Sequence, residues 1–245
     1  MGKLNENELR EFVNSGILEF HRKKIERLKN INLEDILRKK NPYLFKAKNI
    51  TIASDLIINI MDAFLFSSEE KLFGDFLEQL AIFIASCTSN GYKSSAQGID
   101  LEFSDNDIHF IVSVKSGPNW GNSSQYKRQE DDFKRAVKVL KQANPSANIQ
   151  PVLGICYGKS KDSFNRGYLK TMGQNFWFLL SKKANLYTDI IEPLGYRARE
   201  NNAVFEQHKS ELVNKFTESF IAGFCTDGSI DWKKLVEFNS GNLPK

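Results

Sequence analysis

The chain has 245 residues, of which 41% are hydrophobic and 26% charged, with a formal net charge of +4. That apolar content supports a sizeable core and excludes a disordered chain, and the length suits one domain with elaborations or two packed subdomains. The small basic excess does not demand a polyanionic partner, but it permits one if the basic residues cluster on one face.

Three cysteines, Cys87, Cys156 and Cys225, form no CxxC pair. Their odd number argues against a disulfide framework, and their apolar settings predict buried thiols in a reducing cytoplasm. The polar stretch from Met1 to Arg10 lacks signal-peptide character. No apolar run approaches the roughly 20 residues that span a bilayer, so no membrane partner is expected.

Leu9, Phe12, Val13, Ile17, Leu18, Phe20 and Ile25 recur at near-helical spacing and predict a helix over 5–28. A short helix follows over 33–38, stopped by Asn41-Pro42. The segment Arg38–Lys48 mixes bases with aromatics and predicts a loop. Two helices are expected next, one over 52–64 and one from Ser67 or Ser68, with Glu69 and Glu70 in its first turn, to Ser86. The periodicity then changes to that of strands. Residues 98–103 and 108–115 predict a hairpin around the turn formers Ser104-Asp105-Asn106-Asp107. A polar stretch over 116–124 leads to a helix over 125–143 and then to an apolar strand over 151–157. A loop over 161–168, an aromatic segment over 174–178, helices over 184–194 and 201–222, a turn at 226–228 and a last helix from Trp232 complete the order. This is a mixed α/β core with helical wrapping.

The chemistry concentrates in Gly98-Ile99-Asp100-Leu101-Glu102 and Ile111-Val112-Ser113-Val114-Lys115. Paired as a hairpin, these strands can set Asp100 and Lys115 side by side at one end of the sheet. A carboxylate there can hold a hard divalent cation, and an ammonium beside it can stabilise negative charge developing on a phosphate.

An Asp followed by an acidic-x-Lys on the next strand, within a helix–strand–strand–helix–strand order, resembles the PD-(D/E)xK nuclease superfamily. More narrowly, 41–48 (NPYLFKAK), 98–100 (GID), 115–120 (KSGPNW), 154–158 (GICYG) and 173–177 (GQNFW) look like the PmeII-type restriction endonucleases, over most of the chain. The resemblance implies a restriction-endonuclease-like core of mixed sheet flanked by helices, with helical N- and C-terminal elaborations. The expected division is 1–66 N-terminal helical, 67–182 nuclease core and 183–245 C-terminal helical, packed as one unit. It further implies Mg2+-dependent cleavage of double-stranded DNA at a short specific sequence by a homodimer, without a nucleotide cofactor. The alternatives are a decayed DNA-binding protein and a structure-selective repair nuclease on the same fold.

One position departs from the pattern. Ser113 stands two before Lys115, where the family has an acid, so a second acid must come from elsewhere. Some restriction enzymes with a Ser-x-Lys strand are similar in moving it to a helix. Glu78, on the helix before the hairpin, is the first choice, Glu130 the second and Glu102 the third. Asp100, Lys115 and Glu78 are thus the expected catalytic residues, with Asp100, Glu78 and Glu130 as metal ligands.

Bland readings compete at each position. Asp100 could make a strand-end hydrogen bond, and Lys115 could be solvated, although the apolar strand around it calls for a partner. Glu130 lies in the charged run 127–135, the pattern of a solvated face. For DNA contact, Lys39, Lys40, Lys46 and Lys48 are the expected phosphate ligands, Asn119, Trp120 and Gln125 stand nearer the bases, and Asn122 is a further expected DNA contact. Phe176 and Trp177 read as core. His21, His109 and His208 have no metal-ligand spacing. There is no phosphate-binding loop, dinucleotide fingerprint or nucleophile elbow.

Overall fold

A computed structural model of the chain describes residues 2–242. In chain order the elements are α1 (Glu6–Lys29), α2 (Leu33–Lys39), α3 (Pro42–Ala47), α4 (Ala53–Ser89), β1 (Tyr92–Lys93), β2 (Leu101–Asp105), β3 (Ile108–Lys115), α5 (Ser123–Ala143), β4 (Asn148–Ile155), β5 (Ser163–Asn165), β6 (Tyr168–Met172), α6 (Gln174–Ser181), α7 (Leu186–Asp189), α8 (Ile191–Leu194), α9 (Ala198–Phe224), β7 (Cys225–Thr226), β8 (Ser229–Ile230) and α10 (Trp232–Ser240). The chain groups into two units, each built from two stretches. The first takes the residues up to Leu18 and Phe73–Tyr196, and the second takes Glu19–Leu72 and the residues from Arg197 on. The grouping differs from the linear division at 66 and 182, whose outermost ends, Met1 and 243–245, lie outside the described residues.

The first unit holds a six-stranded sheet in the order β1-β2-β3-β4-β6-β5. β3 runs antiparallel to β2 and parallel to β4, so the sheet is mixed. Asn106 and Asp107, with φ of 46° and 61°, form the two-residue turn between β2 and β3. Both central residues at positive φ are what the twist of a tight hairpin requires. Ser104 and Asp105, expected in the loop, instead pair with His109 and Ile108. Alternation gives the sheet two faces. Leu101, Phe103, Phe110, Val112, Val114 and Val152 pack with Leu9, Val13, Ile17, Leu77, Leu80, Ile84, Phe176 and Trp177. On the other face Ile111, Leu153 and Ile155 pack with Phe133 and Ala136 of α5. Each such buried side chain contributes roughly 1.5–3 kcal/mol.

The second unit is helical, with a core that includes Leu28, Ile36, Leu56, Met61, Phe205, Phe220 and Leu235. The turn expected at 226–228 joins the small β7–β8 hairpin.

Four further expectations change. The helices expected over 52–64 and 67–86 are one 37-residue helix, α4. The Ser67 hydroxyl bonds back to the Ala63 carbonyl, 3.0 Å away, instead of capping a new helix. As one helix, α4 is long and apolar enough by length and composition to cross a membrane. Yet Leu56, Ile57, Ile60 and Met61 lie in one core and Leu77, Leu80, Ala81 and Ile84 in the other, as in a core helix. The expected Arg38–Lys48 loop contains α3, because Asn41 accepts from the Tyr43 and Leu44 amides and Pro42 sits in the first turn. The 161–168 loop is largely the β5–β6 hairpin, turning at Arg166 and Gly167, both at positive φ. Of the three thiols Cys156 is buried, whereas Cys87 and Cys225 are half-buried; all three are free.

Candidate active site

The site lies in the first unit, where β2 begins and β3 ends. Asp100 immediately precedes β2, and its amide donates to the Val112 carbonyl at 2.9 Å, which ties it to β3. Asp100 Oδ2 accepts the Val114 amide at 2.7 Å and lies 3.8 Å from Lys115 Nζ. Both side chains are about one quarter exposed, at 24% and 26%. The expected pair is therefore together, half-shielded and open on one side. The Trp120 ring backs the lysine, with Nζ 5.4 Å from its centroid, a cation–π distance.

Glu78 approaches from α4. One turn earlier, Gly74 passes close to the end of β3, and a methyl placed on Gly74 would stand 3.6 Å from Ser116 Cβ. Burial, and then the charge of Asp100, push the Glu78 carboxyl above the usual carboxylate range, against the pull of Lys93 at 3.5 Å. Two carboxylates that repel each other in a half-buried corner suit a hard cation. Cys156, on the same side, has its thiol pushed up by burial and then by Glu78, so it stays protonated and is a poor nucleophile.

The second and third choices for the missing acid are engaged elsewhere. Glu130 pairs with Lys134 at 2.7 Å and Lys127 at 3.9 Å, and these lysines hold its carboxyl below the usual range, with Lys134's hydrogen bond the largest effect. Burial works to raise the Glu102 carboxyl, but hydrogen bonds from Ser94, His109 and Tyr92 outweigh it and hold it low. The residue of α5 that faces Ser113 is Gln129, one position before Glu130 and so about 100° around the helix. The search for an acid in the sequence passes over it. A signal existed, because Gln129, Asp132, Phe133 and Ala136 recur at i, i+3, i+4 and i+7, and all are buried.

The expected DNA contacts divide. Asn122 and Gln125 cap α5 reciprocally, each accepting the other's amide. Their side-chain oxygens are thus committed to the helix start, although both residues are exposed. Asn119 is exposed, and Trp120 is half-buried behind Lys115. In the second unit Lys39, Lys46 and Lys48 are exposed. Lys40 donates to the Ala63 carbonyl at 2.8 Å. Lys46 lies 5.3 Å from the Trp232 ring centroid.

The family model for the type II restriction endonuclease EcoO109I matches residues 7–202. The chain belongs to that family. No curated protein matches it. Membership in the EcoO109I family carries the coarse function, a type II restriction endonuclease whose substrate is DNA, and accords with the mixed sheet flanked by helices. It covers α1 through the start of α9 and so includes Glu78, Asp100 and Lys115. The match carries the family and the type II class, not a PmeII-type specificity.

Proposed function

We propose that the protein hydrolyses both strands of double-stranded DNA at a short specific sequence, with Mg2+ as cofactor, leaving 5′-phosphate and 3′-hydroxyl ends. The observation that carries this is the Asp100–Lys115 pair at the sheet end, 3.8 Å apart, with Glu78 of α4 near enough to feel the charge of Asp100. Among the described residues no group of three or more His, Cys, Asp or Glu gathers to hold a metal. Mg2+ fits two carboxylates all the same, because it keeps several waters and is usually held by one or two carboxylates plus substrate phosphate. Asp100 and Glu78 would hold it, and when bound it supplies charge neutralisation at the phosphate and a more acidic water. Asp100 is fixed for this by the Val114 amide. Lys115, oriented by Asp100 and Trp120, donates to the attacking water or to the phosphate oxygen that gains charge. The exposed Lys39, Lys46 and Lys48 would contact phosphates, and Asn119 the grooves.

A homodimer is part of this reading, because two chains about a two-fold axis match a palindromic target. The apolar stripe of α1 does not require a partner chain, since Leu9, Val13, Ile17 and Leu28 are buried within the chain itself.

A supercoiled plasmid incubated with Mg2+ should give linear fragments sharing one end sequence. Asp100→Asn and Lys115→Ala should lose cutting by more than about a hundredfold yet still shift specific DNA. Undiminished cutting by either variant would defeat the assignment. Ser113 in place of an acid, faced by the neutral Gln129, favours a second reading, a decayed DNA-binding protein. Under that reading the wild type shifts DNA and cuts none.

A further inference from the structure

Ser113 and Gln129 are both buried, at 0% and 5% exposure, beside Asp100. Ser113 Oγ lies 2.8 Å from Gln129 Oε1 and 3.3 Å from Asp100 Oδ2. A hydroxyl has one hydrogen and two acceptors compete for it here, so something must choose between them. The choice is made on the far side of the amide. Gln129 Nε2 donates to the Gly98 carbonyl at 2.9 Å, and a carbonyl can only accept. That contact fixes which end of the amide carries the nitrogen. Oε1 therefore points at Ser113, and since Oε1 can only accept, Ser113 must donate to it. Gly98 is a fixed anchor, with a φ of +77° and α5 so close that a methyl there would stand 2.4 Å from Asp132 Oδ2.

We infer that Gln129 is a positioning residue that keeps the Ser113 hydroxyl hydrogen off Asp100 and leaves the carboxylate free for a cation. This role rests on the proposed reading of Asp100 as a metal ligand. Without the Gln129 acceptor, the hydroxyl turns to Asp100 Oδ2, which already receives the Val114 amide. A second hydrogen bond there draws charge from the oxygen and occupies a lone pair that a cation would use. The substitution at the usual acid position is thus accompanied by a neutral partner that stops Ser113 from competing with the metal.

The test is a cycle of four proteins, wild type, Gln129→Leu, Ser113→Ala and the double variant, with Asp100→Asn as control. The readout is binding of Tb3+, a hard cation that takes oxygen ligands, followed by luminescence excited through Trp120 in the absence of DNA. Circular dichroism melts establish that each protein is folded. Gln129→Leu should weaken Tb3+ binding roughly tenfold, the net worth of about one hydrogen bond. In the Ser113→Ala background the same change should have little effect, because no hydroxyl is left to turn. An equal loss in both backgrounds would overturn the proposal and make Gln129 a plain tether of the Gly98 turn. If Gln129→Leu does not fold, Gln129→Met replaces it in the same cycle. Asp100→Asn should abolish the signal. Undiminished binding by that control would instead remove Asp100 as a ligand, and the inference with it.

Discussion

Glu78→Gln should make the metal-free protein more stable while removing its activity. In the folded chain burial and the charge of Asp100 raise the Glu78 carboxyl above its ordinary 4.5. The folded chain therefore keeps this proton at pH values where the unfolded chain has released it. Stability falls as pH climbs from about the unfolded value toward the folded one, and the full loss is present above that. Glutamine carries no charge at any pH and escapes the loss. The ion pair given up with Lys93 is small, since that lysine is 64% exposed and its nitrogen 3.5 Å away, contributing tenths of a kcal/mol at most. A net gain is therefore expected at pH 7, read as a higher melting temperature of the variant. Near pH 4 the two proteins should melt together. Added Mg2+ should reverse the order at pH 7. At ten times its dissociation constant it stabilises the wild type by about 1.4 kcal/mol, and the variant gains little. Calorimetric melts between pH 4 and 7.5, with and without Mg2+, read all of this. A variant that melts below wild type at pH 7 without metal, or that gains as much from Mg2+, would refute the placement of Glu78 beside Asp100.

Gly98→Ala should cost about 2 kcal/mol or more, through its positive φ and the clash with Asp132, and should cut activity further by displacing Asp100; urea melts and cleavage rates check both. Asp107→Gly should stabilise the protein by roughly 0.5–1 kcal/mol in the same melts, because glycine relieves the second positive-φ position of the β2–β3 turn. The double change Lys46→Ala, Lys48→Ala should weaken binding of all DNA sequences alike and flatten the dependence of log affinity on log salt, with a slope about 1–2 units shallower. Unchanged affinity and slope would make the segment structural.

The Asp100–Lys115 pairing is legible because a tight hairpin leaves few registers open. The approach of α4 to the end of β3 is legible only in part. The helical pattern points to Glu78, but a separate helix over 67–86 gives no reason why Gly74 should approach Ser116. Gln129 was hidden by its neighbour. Glu130 has the charge that a search for acids looks for, and a one-residue offset on a helix cannot be settled without the register of α5 against the sheet. α3 is hidden in the sequence because Asn-Pro reads as a stop, when the pair also begins a helix. The basic and polar residues expected at DNA rest on residue type alone. Type does not show that the Asn122 and Gln125 oxygens close a capping box or that Lys40 answers a carbonyl.

β3 pairs with β4 over all eight of its residues and with β2 over the first five. Past the end of β2, the Val114 amide is held by Asp100 Oδ2 in place of a neighbouring strand. Hydrogen–deuterium exchange along β3 should therefore be slow and nearly uniform, reporting the opening of the whole sheet, except at Val114. There the rate reports how firmly one carboxylate is seated. A cation that draws Asp100 aside would speed exchange at that amide alone, giving a backbone signal for an event at a side chain.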